Sequence, residues 1–211
     1  MDSKQRQRII SRQRDALRRH GYHPNALFWS SREIQELRFR VLFEASGLKA
    51  GDSLLDVGCG FGDLAAWLAR QGSSVDYTGI DLSPELLAEG RRRHPGIRLY
   101  EGDIFDFDPP PESHDWVVLS GALNSNLNDQ GAYARRVIRR MYAACRKGIA
   151  FNLLDARHEP TAGCWDLQSF LPADIEALAR RLSPCRELRD DYLENDFTVV
   201  VRRPGRLKSE P

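Results

Sequence analysis

The chain has no long apolar run. Nothing in its 211 residues approaches the roughly 20 consecutive apolar residues of a membrane span, and its N-terminus carries no apolar signal core. Cysteine is scarce and scattered. Cys59, Cys145, Cys164 and Cys185 form no C-x-x-C pair, so their spacing suggests neither a zinc site nor a disulfide framework. Charge of one sign is missing too. The 31 Lys and Arg nearly balance 30 Asp and Glu for a net +1, so no global field selects nucleic acid or a membrane surface. These absences leave a cytoplasmic protein with reduced thiols and no metal as the expectation. A hydrophobic fraction of 41% and a charged fraction of 29% are ordinary for a soluble domain. The length suits one domain with a small N-terminal extension.

What is present centres on Leu54–Leu68, LLDVGCGFGDLAAWL. Leu54 to Val57 reads as a buried strand. Gly58, Gly60 and Gly62 follow at alternate positions, and Leu64, Trp67 and Leu68 then repeat with helical period. Glycines at such a turn let backbone approach a ligand with no Cβ in the way. In an open α/β sheet the ligand crevice lies at the carboxyl ends of the strands.

Upstream, Met1–His20 is rich in Arg and Gln. Arg6, Arg8, Arg12, Arg14, Arg18 and Arg19 make it basic. It reads as a solvated or frayed amphipathic helix; the alternative is a surface for RNA or a phosphate-bearing acceptor. Ser30 and Glu33 form a candidate capping box, and Ile34, Leu37, Val41, Leu42 and Ala45 a core-facing stripe that Gly47 ends. Downstream, strands are expected at 75–80, 97–101, 116–119, 149–154, 185–188 and 197–201. Helices are expected from Pro84 to Arg93, from near Asn128 to Gly148, and from Ala173 to Leu182. This order gives an α/β fold: one doubly wound, mostly parallel seven-stranded sheet with a C-terminal antiparallel strand, in a three-layer α/β/α sandwich. Residues 1–48 are the N-terminal helical extension or lid, 49–203 the ligand-binding domain and 204–211 a disordered tail.

Three acids fall at matching places: Asp56 ending the first strand, Asp81 the second, and Asp103 just after the third. An acid ending strand two can accept hydrogen bonds from ribose hydroxyls; one after strand three is placed for an adenine amine. The dinucleotide pattern G-x-G-x-x-G is not met, because its third glycine would fall at Asp63, where an acid repels a pyrophosphate. A nicotinamide-dependent oxidoreductase is therefore disfavoured, and a nucleoside cofactor without phosphates favoured.

LLDVGCGFGD, YTGIDLSPELL and EGDIFDFD together resemble the class I, Rossmann-like S-adenosylmethionine-dependent methyltransferases over about Leu54–Leu154. WSSREIQELRF, SGALN and AFNLLD resemble a group of small bacterial methyltransferases within that superfamily. The resemblance implies S-adenosylmethionine as cofactor. It implies that Gly58, Cys59, Gly60 and Gly62 pass beneath the methionyl and adenosyl parts, that Asp81 with Leu82 holds the ribose, and that Asp103 with Ile104 holds the adenine. Ser120 and Gly121 would line the methyl end, and Asp56 would orient the loop. Trp29, Gln35 and Arg38 would belong to a lid, with Arg38 pairing either with the methionine carboxylate or with a surface acid such as Glu36 or Glu44.

The acceptor is less legible. SGAL stands where many DNA-adenine and glutamine methyltransferases have D/N-P-P-Y, and no cytosine-C5 nucleophile pattern is present. A small-molecule acceptor is the expectation, with RNA or protein as alternatives and no membrane partner. Cys59 is read as packing. His158, Asn124 and Asn126 are the candidates for assisting the acceptor, His158 being the near-neutral base among them. The competing class is a non-catalytic module on the same fold that binds RNA or a partner through the basic N-terminus.

Overall fold

The computed structural model describes residues 1–204. The expected tail, 204–211, lies outside the described residues except for Pro204. Seven strands form a continuous sheet: β1 (Ser53–Val57), β2 (Asp76–Asp81), β3 (Arg98–Glu101), β4 (His114–Ser120), β5 (Cys145–Asp155), β7 (Arg186–Arg189) and β8 (Asp196–Arg202). Their spatial order is β3-β2-β1-β4-β5-β8-β7, and a two-residue β6 (Ser169–Phe170) pairs with the end of β5. All pairs are parallel except the two made by β8. The order reverses between β1 and β4, the place where such a sheet opens a crevice.

Alternation along the strands explains the three layers. Leu55, Val57, Val117, Leu119, Ile149 and Phe151 face one side, beneath Val137, Ile138 and Met141 of α6 (Ala132–Ala144) and Ile175 of α8 (Pro172–Leu182). Leu54, Trp116, Val118 and Ala150 face the other, beneath Phe39 and Leu42 of α2 (Arg32–Ser46) and Leu64, Trp67 and Leu68 of α3 (Asp63–Arg70). The remaining helices are α1 (Ser3–His20), α4 (Pro84–Arg93), α5 (Ile104–Phe107) and α7 (Glu159–Ala162).

Several boundaries differ from expectation for local reasons. Helix α2 is capped by Ser31, whose Oγ accepts the Ile34 N–H at 3.3 Å; Ser30 is one residue too early, so Glu33 does not complete a box. Helix α6 starts at Ala132 rather than near Asn128, because the Asp129 carboxylate takes the Gly131 and Tyr133 N–H groups. Gly148 does not end that helix. It lies inside β5, where a Cβ would collide with the Trp116 ring and the Val201 carbonyl. The Pro-free turn after β3 becomes α5, capped by Asp103.

The largest departure is α1. It is neither frayed nor free. Asp2 and Gln5 close a capping box at 2.7 and 2.8 Å. Gln5 then donates to the Leu127 carbonyl at 2.6 Å, Arg6 pairs with Asp103 at 3.0 Å and Asp106 at 2.6 Å, and Arg12 pairs with Asp166 at 2.8 Å. Arg8 donates to the Asn126 carbonyl. Three of the arginines read as a candidate RNA surface are thus turned onto the domain itself. Individually such half-exposed pairs contribute little; together with Ile9, packed on the core, they dock the helix. We expect Arg6→Ala to accelerate amide exchange across residues 3–20 while leaving β1, β4 and β5 protected; unchanged exchange in α1 would show that the pairs to Asp103 and Asp106 do not hold it.

Candidate functional site

At the carboxyl ends of β1, β2 and β4 lies a cavity of about 570 Å³, roofed by α1 and the start of α2. Its size falls within the range of sites that enclose small ligands. Its floor is the loop after β1. Gly58, Gly60 and Gly62 have φ of 74°, 57° and 77°, a left-handed conformation that side chains disfavour. A Cβ on Gly58 would overlap Ala122. Four of the loop's five N–H groups are already used: Gly58 and Cys59 donate to the Ile80 carbonyl at 2.8 and 3.0 Å, Gly60 to Asp81, and Gly62 to the Cys59 carbonyl. The loop therefore offers close backbone approach rather than a nest of donors for phosphate.

Twelve of the thirteen expected cofactor residues line this cavity. Gly58, Cys59 and Gly60 form its floor, with Asp56 behind them. Asp81, Leu82, Asp103 and Ile104 lie along the β2 and β3 side, Ser120 and Gly121 on the β4 side, and Trp29 and Arg38 in the roof. Gly62 does not line it. It starts α3 without a side-chain cap, and a Cβ there would strike Ile97, so its role is to let β3 and the helix pack.

Asp81 is buried, and its carboxylate takes backbone N–H groups: Oδ2 from Gly60 and Oδ1 from Ser83, both at 2.9 Å, with the Leu82 N–H a third backbone donor. The two oxygens together offer about four acceptor positions, so the carboxylate keeps acceptor capacity beyond these donors. Burial raises the Asp81 pKa, against the backbone donors that lower it. Asp103 is different. Its Oδ1 takes the Phe105 and Asp106 N–H groups, and its Oδ2 takes Arg6 at 3.0 Å and the Tyr133 hydroxyl at 2.9 Å. All four positions are filled, so Asp103 offers no open acceptor.

Asp56 is buried and accepts the Tyr77 hydroxyl at 2.7 Å. Burial pushes its carboxyl up to about 7, the Tyr77 hydrogen bond opposing and Asp81 adding to the rise. The folded value lies above the unfolded one, so the contribution to stability is complete below the unfolded pKa of about 4 and is lost as pH rises through about 7. We expect the wild-type protein to lose more stability than Asp56→Asn between pH 5 and pH 8 in urea titrations; parallel losses would remove Asp56 as the titrating group.

The roof is held by pairs invisible in sequence order. Arg38 does not pair with a surface acid. Its Nε lies 2.8 Å from Asp196 Oδ2, both side chains buried, and its guanidinium carbon sits 4.6 Å from the centre of the Trp29 ring. Burial pushes Asp196 up to about 6, against Arg38 and the Tyr192 hydroxyl, which lower it. Trp29 lies against Gly121, where a Cβ would overlap its ring. Gln35, 1% exposed, donates to Asp63 at 3.3 Å and leaves its Oε1 without a donor. Asn152, unremarked in the run AFNLLD, accepts the Gly121 N–H at 2.9 Å and donates to Ser120 at 3.3 Å, fixing the loop after β4. A buried Asn inside an apolar strand was the available signal.

Of the residues considered for assisting an acceptor, only Asn124 lines the cavity. His158 caps the approach to α7 and contacts Thr161 through Nδ1 at 2.8 Å. Asn126 binds the Trp165 carbonyl at 2.9 Å and the Asn128 N–H at 2.8 Å. Both are structural by these contacts. Cys59 is buried, and burial pushes its thiol well up, so it is packing. Among the described residues no group of three or more His, Cys, Asp or Glu is arranged to hold a metal ion, and no helix is long and apolar enough to cross a membrane.

The family model described as "Methyltransferase domain" matches residues 54–148, which run from β1 into β5. A Mycobacterium tuberculosis protein named "Putative methyltransferase Rv1506c" is 31% identical over 156 residues, covering 72% of this chain and 93% of that protein. The chain belongs to the S-adenosylmethionine-dependent methyltransferases. This methyltransferase is also 36% identical over 86 residues to trans-aconitate 2-methyltransferase of M. tuberculosis, covering 41% of this chain and 32% of that protein. It is 30% identical over 135 residues to fatty-acid O-methyltransferase of Mycolicibacterium smegmatis, covering 62% and 46%. The chain thus spans less than half the length of these two relatives. Among solved structures, Haemonchus contortus phosphoethanolamine N-methyltransferase 2 with S-adenosyl-L-methionine superposes with a TM-score of 0.65 at 15% identity, covering 91% of this chain and 60% of that one. That likeness is one of fold, and it places the methyltransferase sheet order within the Rossmann-like architecture expected from its motifs.

Proposed function

We propose that this methyltransferase binds S-adenosylmethionine across the glycine loop and moves its methyl group to a small molecule held under α1 and α2. The observation that carries the reading is Asp81: a buried carboxylate at the end of β2, anchored by backbone N–H groups and keeping acceptor capacity beyond them. That acceptor capacity suits a vicinal diol such as the cofactor's ribose. Ile104 supplies an apolar face for adenine, and Asp103 frames that end by holding α5, Arg6 and Tyr133 rather than by offering a free acceptor. Gln35 Oε1 suits the methionine ammonium, and the part of the Arg38 guanidinium not used by Asp196 suits the carboxylate.

When bound, the cofactor supplies a methyl on a sulfonium: an acceptor lone pair bonds to that carbon as the carbon–sulfur bond breaks, the electron pair stays on sulfur and the acceptor proton goes to water. The chain's own part is positioning. Trp29 over Gly121 and the Asn152-braced loop close the space around the reacting groups and restrict how an acceptor can sit. Holding reactants in near-attack geometry lowers a barrier by up to roughly 7–11 kcal/mol without any protein base. Residues 1–48 act as lid and 49–203 as the cofactor domain. A cavity of this size beneath α1 and α2 supports a small acceptor over a macromolecule, as does the inward use of Arg6, Arg8 and Arg12. Calorimetric titration with S-adenosylhomocysteine should give one site per chain; absence of binding would overturn this reading.

A further inference from the structure

The polar groups of the cavity are unevenly matched, and the imbalance bears on the acceptor. Two cationic side chains line it, Arg12 and Arg38. Both already face acids, Arg12 with Asp166 and Arg38 with Asp196, each at 2.8 Å. Four carboxylates line it: Asp56, Asp81, Asp103 and Asp166. Three further oxygens have no donor although buried, Gln13 Oε1, Gln35 Oε1 and Asn124 Oδ1, and all three residues line the cavity. The Gln35 amide is oriented by its bond to Asp63, so its oxygen is fixed as the open atom. A buried acceptor without a donor costs free energy that a ligand N–H or O–H returns. Outside the part of Arg38 assigned to the cofactor carboxylate, an anion meets open acceptors, carboxylates and, in Arg12, a cation that already faces an acid.

The mouth adds an apolar requirement. Phe28 is 56% exposed and lies 5.2 Å beneath the Arg12 guanidinium, and Trp165, 82% exposed, precedes Asp166. The exposed Phe28 ring therefore stands beside the Arg12–Asp166 pair.

Resting on the methyltransferase reading above, we propose that the acceptor is a molecule with an aromatic or apolar body that presents a hydroxyl or amino group as hydrogen-bond donor, and that free carboxylic acids are rejected. The open oxygens of Asn124 and Gln13 receive the acceptor's donor, that of Gln35 receives the cofactor ammonium, and Phe28 receives the apolar body. The acid acceptors in the names of two relatives do not carry over to this cavity.

The test uses three probes with one indole body, titrated calorimetrically into the full chain saturated with S-adenosylhomocysteine: tryptophol, tryptamine and indole-3-acetate. The expected result is that tryptophol or tryptamine binds at least tenfold more tightly than indole-3-acetate. Equal binding, tighter binding by the carboxylate, or no binding of any probe at millimolar concentration overturns the proposal. Asp166→Asn, which frees Arg12, is expected to narrow the gap between carboxylate and alcohol at least tenfold, with α1 still held through Gln5 and Arg6. An unchanged gap overturns the role given to paired arginines. Failure of S-adenosylhomocysteine to bind is a separate result: it sinks the cofactor site, and the same three titrations into the unloaded chain still decide the donor preference.

Discussion

Asp81→Ala is expected to lower the affinity for S-adenosylhomocysteine by at least about 100-fold. The magnitude follows from two hydrogen bonds to a charged acceptor, each contributing about 1.5–3 kcal/mol, with about 1.4 kcal/mol per factor of ten. The substitution also frees the Gly60 and Ser83 N–H groups, so some loss comes through the loop itself. Asp81→Asn separates the two effects. It keeps the side-chain volume and one acceptor but sets an NH2 against one of the backbone N–H groups, so its affinity should fall about tenfold with a smaller loss of melting temperature than Asp81→Ala. If Asp81→Asn binds like wild type, the carboxylate does not hold the ribose. If both variants unfold at the same lowered temperature, Asp81 acts on the fold rather than the ligand.

Arg38→Ala should be the most destabilising change in the roof. It leaves the Asp196 carboxylate buried and uncompensated, with only the Tyr192 hydroxyl near it. Removing one partner of a buried pair costs about 3–5 kcal/mol, or roughly 10 °C in Tm for a chain of this size. The Trp29 ring also loses the guanidinium stacked on it. Arg38→Met with Asp196→Asn removes both charges and should recover most of the stability. Thermal unfolding measures the first effect and calorimetry the second. A double variant that regains stability but still binds S-adenosylhomocysteine at least tenfold more weakly assigns Arg38 to the cofactor carboxylate. One that regains both restricts Arg38 to the fold.

What could be read from the sequence was whatever depends on neighbours in the chain. Leu64, Trp67 and Leu68 follow the glycine loop at helical spacing, and they do face the sheet. Ser83 and Pro84 start a helix as their chemistry requires, the Ser83 hydroxyl accepting the Leu86 N–H at 3.3 Å. Asp56, Asp81 and Asp103 share one sheet edge because parallel strands in register bring their carboxyl ends together. The doubly wound sheet followed from the same alternation, with β6 too short to show a pattern.

What could not be read depends on partners far along the chain. The arginines of α1 resemble any solvated helical face until Asp103 and Asp166, 97 and 154 residues away, are placed beside Arg6 and Arg12. Arg38 finds Asp196 across 158 residues, through the antiparallel return of β8 beside β5. Asp103 looked open as a motif residue and is saturated in space. Gly62 looked like ligand-binding backbone and instead relieves packing against Ile97. His158 had the right chemistry for a base, and its loop carries it away from the cavity.

The most direct measurement is a crystal structure of the full chain with S-adenosylhomocysteine. The expected result has both ribose hydroxyls within hydrogen-bond distance of the two Asp81 oxygens, the nucleoside lying over Gly58 and Gly60, and α1 still docked through Arg6 and Arg12. A nucleoside bound away from Asp81, or a cavity filled by a displaced α1 with the ligand outside it, would contradict the site assigned to this methyltransferase.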